Sequence, residues 1–304
     1  MLKYSDYKKI FESYTLKYMA FDWDDNILFM PTKIHMQKEV DGEWIDTDVS
    51  TSQFAEVRNA DGWRIKDNDP DVAFSEFRDE GPRGGDAFLE DAKKSLSDKK
   101  FGPSWDQFLK CLVRGNIFAI ITARGHEPDT IRNAVEFIIE NYLDEDQKNE
   151  MAANLSAYHN LFYDTDTDKM KDFSFEYLID YYLSHCDFVG VSSKSFEKVA
   201  GDASASNPEK AKQIAMEMFV DKIHLWGKKV DRSVMVGFSD DDKGNVDHIH
   251  KFFKDELSLK YLMVDYNVFD TSDPEVEPKK VEEIKTYEQF KNSLGDDEWI
   301  NPEK

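Results

Sequence analysis

Two aspartates two positions apart, Asp22 and Asp24, follow a short apolar run from Tyr18 to Phe21. Along an extended chain residues i and i+2 point to the same side. Both carboxylates therefore leave the end of that run together. Two acids held there without a basic partner are costly unless a cation neutralises them. The donors are all oxygens, which predicts a hard divalent ion. One of the two acids then has the character of a nucleophile.

Two more strings carry chemistry, and each also ends an apolar run. Residues 116 to 125, NIFAIITARG, finish at Thr122, Ala123 and Arg124; residues 233 to 239, SVMVGFS, run into Asp240, Asp241 and Asp242. Further strands are expected over 187–193 and 261–269. Between them lie helical patterns. Ser104 is expected to cap a helix over 104–114, and Glu127-Pro128-Asp129 opens another, with Ile131, Val135, Ile138 and Tyr142 on one face. Asn207-Pro208 starts a third, with a stripe of Ala211, Ile214, Ala215 and Met218, and Val246, Ile249, Phe253 and Leu257 mark a fourth. Strands alternating with helices predict an α/β fold: a Rossmann-like, mostly parallel sheet with helices on both faces. Such sheets bind ligands at the carboxyl ends of their strands. The strings at 22–26, 122–125 and 239–242 all sit at such ends and are expected to form one site.

The 304 residues are 40% apolar, with 22 Phe, enough for a large domain with an insertion. A net charge of −23 opposes a protein that coats nucleic acid through its general field. Cys111 and Cys186 stand far apart in apolar segments, and no CxxC occurs. Two buried free thiols in a reducing compartment are expected, hence a cytoplasmic protein. The N-terminal stretch is mixed and charged, unlike a signal peptide, and no apolar run approaches membrane-spanning length, so no membrane role is expected.

Taken together, the strings Asp22-Trp23-Asp24-Asp25-Asn26, Ile120-Ile121-Thr122 and Gly237-Phe238-Ser239-Asp240-Asp241, with a lysine near the start of the helix before the last of them, resemble the haloacid dehalogenase (HAD-like) superfamily of phosphohydrolases. The likeness spans roughly residues 17 to 270. Two positions depart from it: Asn26 stands where the family usually has Thr or Val, and Phe238 where the commonest fourth motif has its first Asp. The resemblance implies a Mg2+-dependent phosphomonoesterase (phosphatase). Asp22 would attack phosphorus to give an aspartyl-phosphate, and Asp24 would serve as general acid and then base. Mg2+ would be held by Asp22, the Asp24 carbonyl and the acids Asp240 and Asp241, with Asp242 a further candidate. Thr122, the Ala123 N–H and Lys210 would bind phosphoryl oxygens. Lys212 rivals Lys210, and Arg124 would contact phosphate or pair with an acid. Asp25 reads as a supporting or capping residue.

The resemblance also divides the chain. Residues 1–28 and 104–270 would form the catalytic core, with a helical insert at 144–185. Residues 29–103 would be a mixed α/β cap after the first strand, with a hairpin turning at Asp41-Gly42 and short helices near 52–58, 71–78 and 85–96. Residues 271–304 would be an acidic C-terminal tail. The cap aromatics Trp44, Phe54, Trp63, Phe74 and Phe77 would form its own core or stack on a base or sugar. The loop Asp164-Thr165-Asp166-Thr167-Asp168 lacks the Gly and final Glu of a calcium loop. A small phosphorylated metabolite or nucleotide is the expected substrate. The alternatives are a nucleic-acid 3'-end phosphatase and a catalytically silent HAD-like binding or scaffold protein.

Overall fold

The computed structural model describes residues 16–163, 174–201, 207–229, 234–261, 264–273, 278–281 and 284, with backbone alone over 156–163. The sequence also favours short helices over 5–14 and near 286–294, and these segments and the acidic loop at 164–168 lie outside the described residues. Strand β1 (Leu16–Phe21) precedes an inserted three-stranded sheet of β2 (Ile34–Val40), β3 (Glu43–Val49) and β4 (Trp63–Ile65). The main sheet then continues with β5 (Phe118–Thr122), β6 (Asp187–Gly190), β7 (Val234–Asp240), β8 (Val264–Asp270) and β9 (Lys279–Lys280). Its order is β6-β5-β1-β7-β8-β9, and all pairings are parallel except the last.

Order and direction together locate the site. From β1 the chain winds outward through β5 to β6, then returns and winds the other way through β7 to β8. Because parallel crossovers are right-handed, this reversal sends the two sets of helices to opposite faces. Every residue of β5 is buried, as a strand covered on both sides requires. The reversal lies between β5, β1 and β7, whose carboxyl ends share one edge: Phe21 registers with Ile120 on one side and Ser239 on the other.

The α-helices longer than one turn, among the described residues, are α1 (Thr51–Val57), α2 (Ala87–Ser97), α3 (Trp105–Val113), α4 (Pro128–Asn141), α5 (Glu145–Tyr163), α6 (Phe175–Leu183), α7 (Lys194–Ala200), α8 (Pro208–Lys229) and α9 (Lys243–Phe252). Phe21, Phe108 and Phe118 pack edge to face at 5.6 Å in the main core, where each buried phenyl contributes roughly 1.5–3 kcal/mol. Both cysteines are buried and free. Among the described residues, no helix is long and apolar enough to cross a membrane.

Several details differ from the sequence reading. The α2 helix, expected within the cap, packs Phe88, Ala92 and Leu96 into the main core. The insert's separate small core comprises Ile34, Met36, Val49 and Phe77 with Phe54, Val57, Trp63, Ile65 and Phe74 against it, while Trp44 is exposed beneath the Arg64 guanidinium at 4.1 Å. The expected tail is not all tail: β9 pairs with β8, and the backbones of Ile284 and Tyr266 exchange hydrogen bonds at 3.0 Å. The hairpin turn is as expected, with Asp41 and Gly42 both at positive φ (51° and 83°), which a right-twisted two-residue turn demands. Ser104 makes no side-chain cap; its hydroxyl meets that of Ser239 instead.

Candidate functional site

Asn26 ties the floor of the site together. Its Nδ2 donates to the carbonyl oxygens of Asp22 and Ser239 and to the Ser239 hydroxyl at 3.0–3.1 Å. Its Oδ1 accepts from the Thr271 hydroxyl at 2.8 Å. Asp22 N–H donates to the Ser239 carbonyl at 2.9 Å. Threonine or valine could not bridge three segments in this way, since only an amide offers two donors and an acceptor on one side chain. The return from the insert also presses here: a Cβ on Gly102 would lie 2.4 Å from the Asn26 carbonyl oxygen.

On this floor Asp22, Asp240 and Asp241 each offer an oxygen within 4.8 Å of the others. Lys212 bridges two of them, its Nζ at 2.8 Å from Asp22 Oδ1 and 2.7 Å from Asp240 Oδ2. Asp240 is further fixed by the Asp242 N–H at 2.9 Å and by Asn245 Nδ2 at 3.1 and 3.2 Å. One ammonium cannot balance three carboxylates in a buried setting. Burial and the neighbouring acids push Asp22 up to about 8 despite Lys212. Burial, with Asp22 and Asp240 close by, pushes Asp241 up to about 9. Lys212 is pulled down by burial, but the Asp22 and Asp240 charges outweigh this and hold it above its ordinary value.

Asp24 lies in a different setting. Trp23 turns inward onto Phe88 at 5.1 Å, and Asp24 turns to Arg124. The guanidinium grips both carboxylate oxygens at 2.7 Å through Nε and Nη2, and Nη2 also reaches the Thr32 hydroxyl at 2.9 Å. The Thr32 hydroxyl donates to Asp91 at 2.6 Å, and Asp91 takes a bidentate pair from Arg83 at 2.8 and 2.7 Å. Arg124 is 1% exposed, and Phe77 and Phe88 lie 4.4 and 5.1 Å from its guanidinium carbon. Its Nη1 has no partner among the described residues. Nearby His126 is wholly buried, and burial with the Arg124 charge pushes it down to about 3.

The insert grips this edge at several points. Asp25, at φ 52°, accepts from the hydroxyls of Thr51 and Ser52 at 2.6 and 2.8 Å. Gly125 N–H donates to the Phe77 carbonyl at 2.9 Å, and Arg58 meets Asp242 at 3.4 Å.

Of the expected site residues, Asp22, Asp240 and Asp241 come together. Asp24 stands beside them with its carboxylate committed to Arg124. Thr122 is buried at the end of β5, its hydroxyl 3.4 Å from Arg124 N, and Ala123 is exposed on the same loop. Two expectations need correction. Lys210 is exposed at the start of α8, and Lys212 is the lysine that reaches the acids. The buried face of α8 runs through Ala211, Lys212, Ala215, Met216 and Phe219, leaving Met218 exposed, because two carboxylates from the sheet make an inward ammonium favourable. Asp242 is the N-cap of α9, accepting from Gly244 N–H, and lies outside the three-acid cluster. Asn245, Thr32, Asp91 and Arg83 carried no motif signal. Thr32 meets Asp91 from 59 positions away, whereas Arg83 lies 8 positions from Asp91 and Asn245, in the first turn of α9, 5 after Asp240.

A divalent cation fits the residues present. The cluster is all oxygen, carries excess negative charge and includes two carboxyls whose ionisation is opposed until positive charge arrives. No family model, curated protein or solved structure matches the chain.

Proposed function

We propose that this chain is a Mg2+-dependent phosphomonoesterase of the HAD-like kind, acting through an aspartyl-phosphate on Asp22. The buried cluster of Asp22, Asp240 and Asp241 around Lys212 carries the proposal. Asp22, Asp240 and Asp241 would hold the ion, which supplies charge neutralisation for an anionic nucleophile and an anionic phosphate. Asp22 has one oxygen on Lys212, and its other oxygen attacks phosphorus. Lys212, together with the ion, would hold Asp22 ionised, and it offsets charge on a phosphoryl oxygen. Thr122 and the Ala123 N–H bind a second phosphoryl oxygen. Asp24, gripped by Arg124, is set up as the base that deprotonates the hydrolytic water. To protonate the leaving oxygen in the first step it must release one oxygen from the guanidinium and first take up a proton there from solvent. The net charge of −23 favours a small phosphorylated metabolite or nucleotide over a long polyanion.

The test is hydrolysis of 4-nitrophenyl phosphate and a panel of phosphomonoesters, with Mg2+ and with chelator, by wild type and Asp22→Asn. Turnover that needs both Mg2+ and Asp22 supports the proposal. Equal inactivity of the two proteins across the panel overturns it. A catalytically silent phosphate-binding protein is the second reading, favoured by the commitment of both Asp24 oxygens to Arg124. It predicts phosphate binding in the presence of Mg2+ with no turnover.

A further inference from the structure

A second concave feature lies at the root of the insert, where the chain enters at Phe29–Lys33 and leaves past the end of α2. The two passes are held together by Phe29 N–H donating to the Lys100 carbonyl at 2.9 Å. Beside them is a cleft of about 580 Å3, lined by Phe29, Met30, Pro31, Lys33, Lys94 and Lys100. That volume is within the range of small-molecule pockets.

The local charge is opposite to that of the molecule as a whole. Three ammonium groups border the cleft in a chain with 62 acidic and 39 basic residues. Two carboxylates also border it, and both are engaged: Asp98 by Lys94 at 2.8 Å, and Asp25 by the Thr51 and Ser52 hydroxyls. Lys94 is thus accounted for by its ion pair and by its place in the last turn of α2, where a cation complements the helix dipole. Lys33 and Lys100 have neither explanation. Both lie off the helix, both are exposed, and neither has an ion-pair partner among the described residues. Between them the chain presents the part-exposed faces of Phe29 and Pro31.

We propose that this cleft binds an anion with an apolar body, such as an aryl or acyl sulfonate, carboxylate or phosphate. The body rests on Phe29, Met30 and Pro31, and the charged head lies between Lys33 and Lys100. Apolar area provides affinity, and the two ammoniums select charge. The site is separate from the three-acid cluster and stands whether or not that cluster performs phosphate chemistry.

The probe is naphthalene-1-sulfonate, titrated into the full-length protein by calorimetry and by backbone NMR. Saturating Mg2+ and inorganic phosphate are kept present to occupy the acid pocket. Saturable binding is expected, with shift changes confined to the cleft lining: Asp25, residues 29–33, Ser50 and Ser52, and residues 94–100. The double variant Lys33→Glu/Lys100→Glu weakens it by about tenfold or more, as does replacing the probe with uncharged 1-naphthol. Lys110→Glu, a charge reversal on an exposed face of α3, leaves binding unchanged. Circular dichroism verifies that each variant is folded, and the single change Lys33→Gln gives a milder loss should the double variant fail to fold. No binding at millimolar probe, equal affinity for naphthol, unchanged affinity in the lysine variants, or shifts centred on Asp22, Asp240 and Asp241 would each overturn the proposal.

Discussion

The two halves of the strand-end site solve the same electrostatic problem differently. Around Asp24, charge is matched atom for atom: a guanidinium fork takes both oxygens, and Thr32, Asp91 and Arg83 extend the pairing outward. Around Asp22, three acids share one ammonium. The first half is balanced in charge as it stands. The second is stable in its charged form only with more positive charge than the chain provides. The difference marks the cluster that could hold an ion and explains why Asp24 offers no side-chain oxygen to it.

The sharpest contrast should come from removing the cations. Lys212→Met and Arg124→Met each leave buried carboxylate uncompensated and should each cost about 3–5 kcal/mol in urea denaturation with chelator present. Millimolar Mg2+ should restore much of the loss in Lys212→Met and none in Arg124→Met. Equal restoration in both variants would erase the distinction between the halves.

Next in size is the pH response. Asp22 and Asp241 are raised from 3.8 to about 8 and about 9, so the folded chain holds protons that the unfolded chain has released. Their contribution to stability is full below pH 3.8 and is lost as pH climbs through 8 to 9. In chelator the melting temperature should therefore drop between pH 6 and 9, by roughly 5 °C. Mg2+ should reverse the drop, and its effect should grow with pH. A Mg2+ shift of the same size at both ends of the range would count against the cluster as its site. On the acid side His126 acts in the opposite sense. Its pKa is pushed from 6.5 down to about 3, so protonation favours the unfolded chain and stability is lost as pH falls below 6.5.

Smaller effects should differ in sign. With chelator at pH 8, Asp241→Asn should stabilise the protein by about 1 kcal/mol, since it removes a buried carboxyl that must take up a proton on folding. Asp24→Asn should destabilise it by about 2 kcal/mol, since it leaves Arg124 buried without its partner. Chemical denaturation of the two variants decides this, and the same sign in both would refute the contrast. The smallest change, Asp242→Ala, should cost about 1 kcal/mol as a lost helix cap. Its Mg2+ affinity, read by calorimetry, should match wild type.

The parts of this arrangement that local pattern could supply were legible beforehand. Apolar runs ending in Asp22, Thr122 and Asp240 marked parallel strands, whereas the parity argument for Asp22 and Asp24 fell short, because β1 ends at Phe21 and the two carboxylates go to Lys212 and Arg124. What escaped was set by distant partners. The spacing Ala211, Ile214, Ala215, Met218 is a fair helical stripe, yet the buried face is turned so that Lys212 enters and Met218 leaves. Nothing within α8 encodes that turn; the carboxylates on β1 and β7 do. Ser104 has the residue type and position of a helix cap, but its hydroxyl is used by Ser239 across 135 positions of sequence. The α2 helix follows the insert in order and belongs to the core in packing, because Phe88 fills the space beside Trp23. Asn26 and Phe238, the two departures from the family pattern, have structural roles in this fold: the first knots three segments and the second is wholly buried in β7.

The Asn26 knot bears on how the protein comes into being. Its last strand of attachment, the Thr271 hydroxyl, lies 245 positions downstream. A ribosome delivers residues in order at roughly 5–20 per second, so the acids of β1 emerge well before the chain that secures them. The pocket is therefore among the late features of biosynthesis, and a product that stops short of Ser239 should carry its aspartates on an unfastened loop.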